Sequence, residues 1–210
     1  MLKSDTWIKE RCLLEGMISP FEPKLIRQVS TDLDQATGAG LTRRVLSFGL
    51  SSAGYDIRLS PGEFKVFRRV PGAQPIDPKC FNSRCLEDMA LVEGPHGAYF
   101  ILPANSLALA HSVESFAMPD DVVGMTSCKS TYIRSGVNIP ITILEPGWKG
   151  VLTLEIANPT PCDVLVYANE GIAQVLFFST EHPPEVTYAT RQDGPGKYQS
   201  QEKQVVLPRV

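Results

Sequence analysis

Apolar and polar residues alternate in short runs over most of this chain, and a helical period shows only near its start. There, Ser4-Asp5 precedes Trp7, Ile8, Cys12, Leu13 and Leu14. That spacing predicts a capped amphipathic helix of about three turns, ended by Gly16. Residues 27–44, RQVSTDLDQATGAGLTRR, are polar and rich in Gly and Thr and predict a loop. From residue 45 onward the period is that of strands. Residues 45–50 lead to Tyr55-Asp56-Ile57-Arg58-Leu59, which places Asp56 and Arg58 on one face. Pro61-Gly62 predicts a turn before residues 63–67 alternate again. Residues 98–102, 106–111, 122–123, 151–156, 164–167 and 172–178 read as further short strands.

Many short strands broken by 17 Pro and 16 Gly indicate an all-β sandwich or barrel with one short N-terminal helix. The 210 residues suffice for one large domain or two small ones, with no repeat or low-complexity segment. The end of the chain, residues 188–210, opens with YATRQDGPGKYQSQ. This is either a disordered tail or a flap over a ligand.

Composition narrows the partners. Hydrophobic residues at 43% with 20% charged suit a soluble globular protein with a real core. A formal charge of −3 gives no broad basic face for a nucleic-acid polymer or an acidic membrane, so any phosphate site must be local. No apolar run reaches about 18 residues, and MLKSDTWIKERCLLEG has no signal-peptide core, so a cytoplasmic location is expected. The five cysteines are expected as reduced thiols, since Cys80 and Cys85 have no matching second pair.

Candidate chemistry concentrates in residues 125–158. Lys129, Ser130, Thr131 and Arg134 crowd cationic and hydroxyl donors into six residues. They are either donors for phosphate oxygens or a solvated face. Glu155 sits among apolar residues of an alternating run, either as a general base with a carboxyl pKa raised by burial or as an ordinary outward Glu. Asp56 is either a substrate or metal carboxylate or the partner of Arg58. Trp148, in the turn Glu145-Pro146-Gly147-Trp148, either stacks on a ligand or plugs the core. Several machines are excluded. There is no Gly-rich dinucleotide or Walker loop, because Cys128-Lys129-Ser130-Thr131 lacks the glycines before it. His96, His111 and His182 lack metal-ligand spacing, and Pro161-Cys162 lacks the second Cys of the zinc deaminases. A hydrolytic deaminase on this chain must therefore activate water without zinc.

The blocks together resemble the dCTP deaminases of the dUTPase superfamily. They are Lys129-Ser130-Thr131-Tyr132-x-Arg134-x-Gly136, Thr142-x-x-Glu145-Pro146-x-Trp148-x-Gly150 and Thr153-Leu154-Glu155-Ile156-x-Asn158. Tyr167 through Phe178, Ser51-Ser52-x-Gly54-Tyr55-Asp56-Ile57-Arg58, Ile76-Asp77-Pro78-Lys79 and Gly196-Lys197-Tyr198-Gln199-x-Gln201 continue the likeness. The resemblance implies a single domain over residues 1–210, a distorted, jelly-roll-like β-barrel assembled as a homotrimer, with sites at subunit interfaces and a C-terminal flap. It implies hydrolysis of dCTP to dUTP and ammonia for thymidylate synthesis, with Mg²⁺ carried on the triphosphate, no zinc, no metal ligand from protein side chains, and dTTP as an inhibitor. By the same resemblance Glu155 is the general acid/base, and Ser130 and Arg134 orient it and the water. Lys129, Thr131, Gln174 and Lys197 would contact phosphate and Glu145 and Trp148 the sugar side, while Tyr188, Lys197 and Gln201 belong to the flap near the nucleotide, with Gln201 on base or phosphate.

Departures from the family fall at Cys128 (usually Gly), Ile133 (usually a small Ala) and Thr142-Ile143-Leu144 (usually Thr-Pro-Phe-like). Bulk at these points bears on the identity of the base, a 5-substituted cytosine included. The alternatives are a dUTP diphosphatase, a bifunctional deaminase–diphosphatase, or a nucleotide-binding trimer without turnover.

Overall fold

The computed structural model describes residues 1–33, 40–69, 71–72, 75–191, 194 and 196–209. Helix α1 (Asp5–Glu15) leads to β1 (Ile18–Ser19), β2 (Leu25–Leu33), β3 (Gly40–Ser51) and β4 (Gly54–Phe67). After a single 3-10 turn come β5 (Leu86–Asp88), β6 (Val92–Gly94), β7 (Gly97–Leu102), β8 (Ser106–Ala117) and β9 (Val122–Cys128). The short helix α2 (Ser130–Arg134) precedes β10 (Ile143–Leu144), β11 (Lys149–Asn158), β12 (Val164–Tyr167) and β13 (Gly171–Ser179). The strand ladders are antiparallel, in one sheet of ten strands and one of three among the described residues. No described helix is long and apolar enough to cross a membrane.

Strand β4 curls the larger sheet. Its first half pairs with β3 and β13, its second half with β8 and β5, and the register slips between Leu59 and Phe64. Pro61-Gly62, expected to end a strand, lies at that slip instead. Proline has no N–H for a ladder and is tolerated at such bulges. The Gly62 N–H is satisfied by Ser60 Oγ at 3.1 Å. Because the strand bends rather than stops, Tyr55, Ile57, Leu59 and Phe64 all reach the core, where Phe64 stacks on Phe100 of β7 with centroids 4.7 Å apart.

The expected N-terminal helix forms, with Ser4 extended at its start and Gly16 in the left-handed region at its end. Its buried stripe is narrower than expected. Ile8 and Cys12, one turn apart, are buried, whereas Leu13 and Leu14 are exposed because neighbouring helical positions point about 100° apart.

The loop expected over 27–44 is corrected: residues 27–33 and 40–44 belong to β2 and β3, which pair as a hairpin, and 34–39 lie outside the described residues. Its polarity has a physical reason. Arg27, Gln28, Ser30, Thr42 and Arg44 are exposed, so the arm needs no apolar face to form its ladder. Its base is anchored by Arg43 Nη1, 2.5 Å from buried Glu170, whose other oxygen accepts the Leu46 N–H at 2.8 Å. There β3 runs against Gly171 so closely that a Cβ on that glycine would stand 1.9 Å from the Ser47 carbonyl oxygen. Gly171→Ala is therefore expected to lower stability by about 2 kcal/mol or more. Urea denaturation reads this directly, and an unchanged midpoint would contradict the tight approach.

Candidate active site

Glu155 owes its placement to strand alternation on β11. Leu154 and Ile156 point into the core at 1% and 0% exposure, so Thr153 and Glu155 face the other way. That other side is a cavity of roughly 480 Å³. Burial pushes the Glu155 carboxyl above the usual carboxylate range, opposed by its own backbone N–H. The isolated carboxylate of the sequence is thus a half-buried acid on a cavity wall.

The turn before β11 supplies the second wall. The Trp148 N–H donates to the Glu145 carbonyl at 3.1 Å, and Gly147 takes φ +76°, a conformation that favours glycine. Trp148 is buried at 5% exposure, lines the cavity, and donates Nε1–H to the Tyr198 carbonyl at 2.8 Å, so it serves as both core and wall. Glu145 lies at the rim, where its carboxylate meets Arg191 at 2.6 Å. Sequence reasoning had not singled out Arg191, and its position in a polar tail carried no signal.

The C-terminal segment supplies the third wall. The Tyr188 N–H donates to the Pro146 carbonyl at 2.9 Å, and the Tyr188 hydroxyl accepts the Tyr198 N–H at 3.0 Å. Gln201 pairs with Gly150, its carbonyl takes the Val151 N–H at 3.0 Å, and its Oε1 accepts from Thr153 Oγ1 at 3.1 Å. With Oε1 engaged, the Gln201 amide NH₂ is the group without a partner among the described residues. Val205 and Val206 are buried farther along, and Val206 and Pro208 line the cavity.

Five of the expected residues, Glu145, Trp148, Glu155, Tyr188 and Gln201, therefore border one cavity, together with Thr142 and Ile143. Lys129, Ser130, Thr131, Arg134, Gln174 and Lys197 do not. The first four lie at and beyond the end of β9. Buried Tyr132, whose hydroxyl accepts the Tyr167 N–H at 2.8 Å, pins α2 and leaves Ser130, Thr131 and Arg134 exposed. The Lys129 ammonium donates to Asp56 Oδ2, and Gln174 Nε2 donates to Asp56 Oδ1 at 3.1 Å. Of the two alternatives for Asp56, this overturns the pairing with Arg58, because Arg58 bonds Glu114 instead, Nε to Oε1 at 2.7 Å. Lys197 is exposed, and its carbonyl accepts from Arg209 at 3.2 Å.

The departures from the family pattern separate in space. Cys128 is buried, its Sγ 3.7 Å from the Val137 carbonyl and its thiol pKa raised by burial, so its bulk goes inward. Ile133 is exposed at 52% and lies away from the cavity, whereas Ile143 borders it. A larger hollow of roughly 690 Å³, lined by residues such as Pro71, Ile76, Phe81 and Cys85, holds none of the expected site residues. Size alone does not mark the site here.

Comparison with known proteins places the fold first. A crystal structure of the 2′-deoxycytidine 5′-triphosphate deaminase from Agrobacterium tumefaciens is similar over 85% of this chain and 48% of that chain, with TM-score 0.52 and 16% identity. This is a likeness of fold. Residues 34–180 match the family model described as dCTP deaminase-like, and the chain belongs to that family. Curated relatives named dCTP deaminase match end to end. That of Laribacter hongkongensis is 44% identical over 208 residues, covering 99% of this chain and 98% of the relative. That of Acidobacterium capsulatum is 44% identical over 209 residues, covering 100% and 99%.

Proposed function

We propose that this chain hydrolyses dCTP to dUTP and ammonia, with Glu155 as the group that moves the protons. The observation that carries the reading is a carboxylate with a burial-raised pKa on the wall of a nucleoside-sized cavity, in a chain 44% identical to dCTP deaminases over its full length. A carboxyl whose pKa lies above its ordinary value can take a proton from water and return it, as a general acid/base requires. The steps balance. Glu155 accepts a proton as water adds to C4 of the cytosine and returns it to N3. Glu155 then takes the proton of the new C4 hydroxyl and gives it to the exocyclic amine, so the C4 carbonyl of dUTP forms as the C4–N bond breaks and ammonia leaves. Glu145 and Trp148 hold the sugar side, and Tyr188 and Gln201 close over the nucleotide.

Ser130 and Arg134, which orient the water and Glu155 in this reading, lie outside the cavity of their own chain. A second copy must then bring its α2 face to the Glu155 cavity, which favours sites shared between copies of a homotrimer. Lys129, Thr131, Gln174 and Lys197 belong to the phosphate side. Mg²⁺ would be carried by the oxygens of the triphosphate and neutralise part of its charge. Asp56, the carboxylate at the Lys129 loop, is already held by Lys129 and Gln174, so it is not assigned as a ligand of the ion.

Purified protein incubated with dCTP and Mg²⁺ is expected to yield dUTP and ammonia in equal amounts by product chromatography. Tight binding of dCTP with no ammonia over hours would overturn the proposal. Pyrophosphate appearing with ammonia would show the bifunctional reaction instead.

A further inference from the structure

The base of the β2–β3 hairpin concentrates positive charge that the Glu155 cavity does not use. Arg27 from β2, Arg44 from β3 and Lys129 from the end of β9 border a cleft of roughly 410 Å³, with Gln28, Ser47 and Thr131. Gln28 and Arg44 face each other across the ladder, and the register slip between Ile26 and Gln28 sets Arg27 beside them. The whole chain is net negative at −3, so this excess is local.

Two carboxylates bonded to residues of the cleft wall are already engaged. Asp56 holds Lys129 and Gln174, and Glu170 holds Arg43 and the Leu46 N–H. Outside residues 31–41, neither Arg27 nor Arg44 pairs with a carboxylate of the described residues. Arg27 and Arg44 border one cleft beside Lys129, whose charge Asp56 already offsets, and a bound anion relieves the repulsion between the two guanidinium groups. A single-charge anion offsets only part of it, so the matching chemistry is a polyanion. Guanidinium forks pair two donors with phosphate oxygens, and the Ser47 and Thr131 hydroxyls and the Gln28 amide add neutral donors. Lys129 and Thr131, already placed on the phosphate side, border this same cleft.

We infer that Arg27 and Arg44 extend the phosphate grip of the Lys129 loop and hold the outer phosphates of the nucleotide. This rests on the reading of the chain as a nucleoside-triphosphate enzyme. The two arginines are then specificity residues: they favour the triphosphate over the monophosphate and touch no reacting atom.

The test is an Arg27→Gln/Arg44→Gln variant, with circular dichroism to confirm folding; both positions are exposed. KM for dCTP is expected to rise about tenfold or more with kcat within about twofold, because each charge-assisted contact removed weakens binding by roughly tenfold. Any turnover of dCMP should be unchanged. Inorganic tripolyphosphate should compete with dCTP in the parent chain, and the double variant should lose that inhibition. A KM within twofold of the parent overturns the inference, and so does tripolyphosphate that binds without competing, which marks a separate effector site. If the parent deaminates no dCTP, the proposed function fails, yet calorimetry still decides the cleft. Tripolyphosphate and dCTP displacing each other in the parent, with tripolyphosphate binding lost in the variant, supports the grip; no binding to the parent overturns it.

Discussion

A Glu155→Gln variant is expected to release ammonia from dCTP about a thousandfold more slowly than the parent chain while still binding the nucleotide. Glutamine keeps the shape and a hydrogen-bonding end but cannot accept a proton from water. The parent's kcat/KM should rise with pH through a limb displaced above the ordinary carboxylate range, because the raised pKa delays formation of the basic carboxylate. The variant should lack that limb. Stability moves the other way. A carboxyl whose folded pKa is raised binds more protons in the folded than in the unfolded state, so its contribution is full below the unfolded value and fades as pH rises through the folded one. The variant should therefore be at least as stable as the parent at neutral pH. A variant that turns over dCTP at the parent rate sinks the assignment, and one that is markedly less stable at pH 7 contradicts the burial argument.

The largest expected effect on folding is at Arg58. Glu114 is fully buried, and Arg58 gives it both Nε–H at 2.7 Å and its backbone N–H at 2.8 Å. Burial pushes the Glu114 carboxyl up, and the guanidinium pulls it back only in part. Arg58→Met leaves a buried carboxylate with its counter-charge removed and is expected to cost about 3–5 kcal/mol. Guanidinium denaturation at pH 7 measures this. The deficit should shrink as pH falls, because an unpaired Glu114 takes up a proton, and Arg58→Met/Glu114→Gln should recover most of the loss. A loss below about 1 kcal/mol, or one indifferent to pH, would show that the pair is not what holds β4 to β8 there.

The parts of the fold that were legible in the sequence are those where one face is buried. Residues 151–156 and 172–178 alternate because one side packs the core, and both form strands. The β2–β3 hairpin was not legible, because exposed Arg27, Gln28 and Arg44 leave its strands without the buried face that marks the others. The partners of Asp56 and Arg58 were not legible either. Residues two apart on a strand are roughly 7 Å apart, and each found a nearer partner elsewhere in the chain: Lys129 beyond the end of β9, and Glu114 on β8. The grouping of Glu145, Trp148, Glu155, Tyr188 and Gln201 was legible only through whole motifs in order. Their separation from Lys129 and Arg134 was hidden, since about twenty residues separate Arg134 from Glu155 while β9 pairs with β13 and β11 pairs with β8.

The three walls of the cavity differ in how they are held. Glu155 stands on a ten-residue strand bonded along its length to β8. The covering wall from residue 188 onward hangs on scattered hydrogen bonds, such as those from the Ser200 N–H to Lys149, the Val151 N–H to Gln201 and the Val205 N–H to Glu63. Segments held this way open at a lower free energy than the strands beneath them. The chain thus divides labour between a stiff floor and a soft cover. On the proposed reading, changes in the cover would alter how long a nucleotide stays and leave untouched the floor that acts on it.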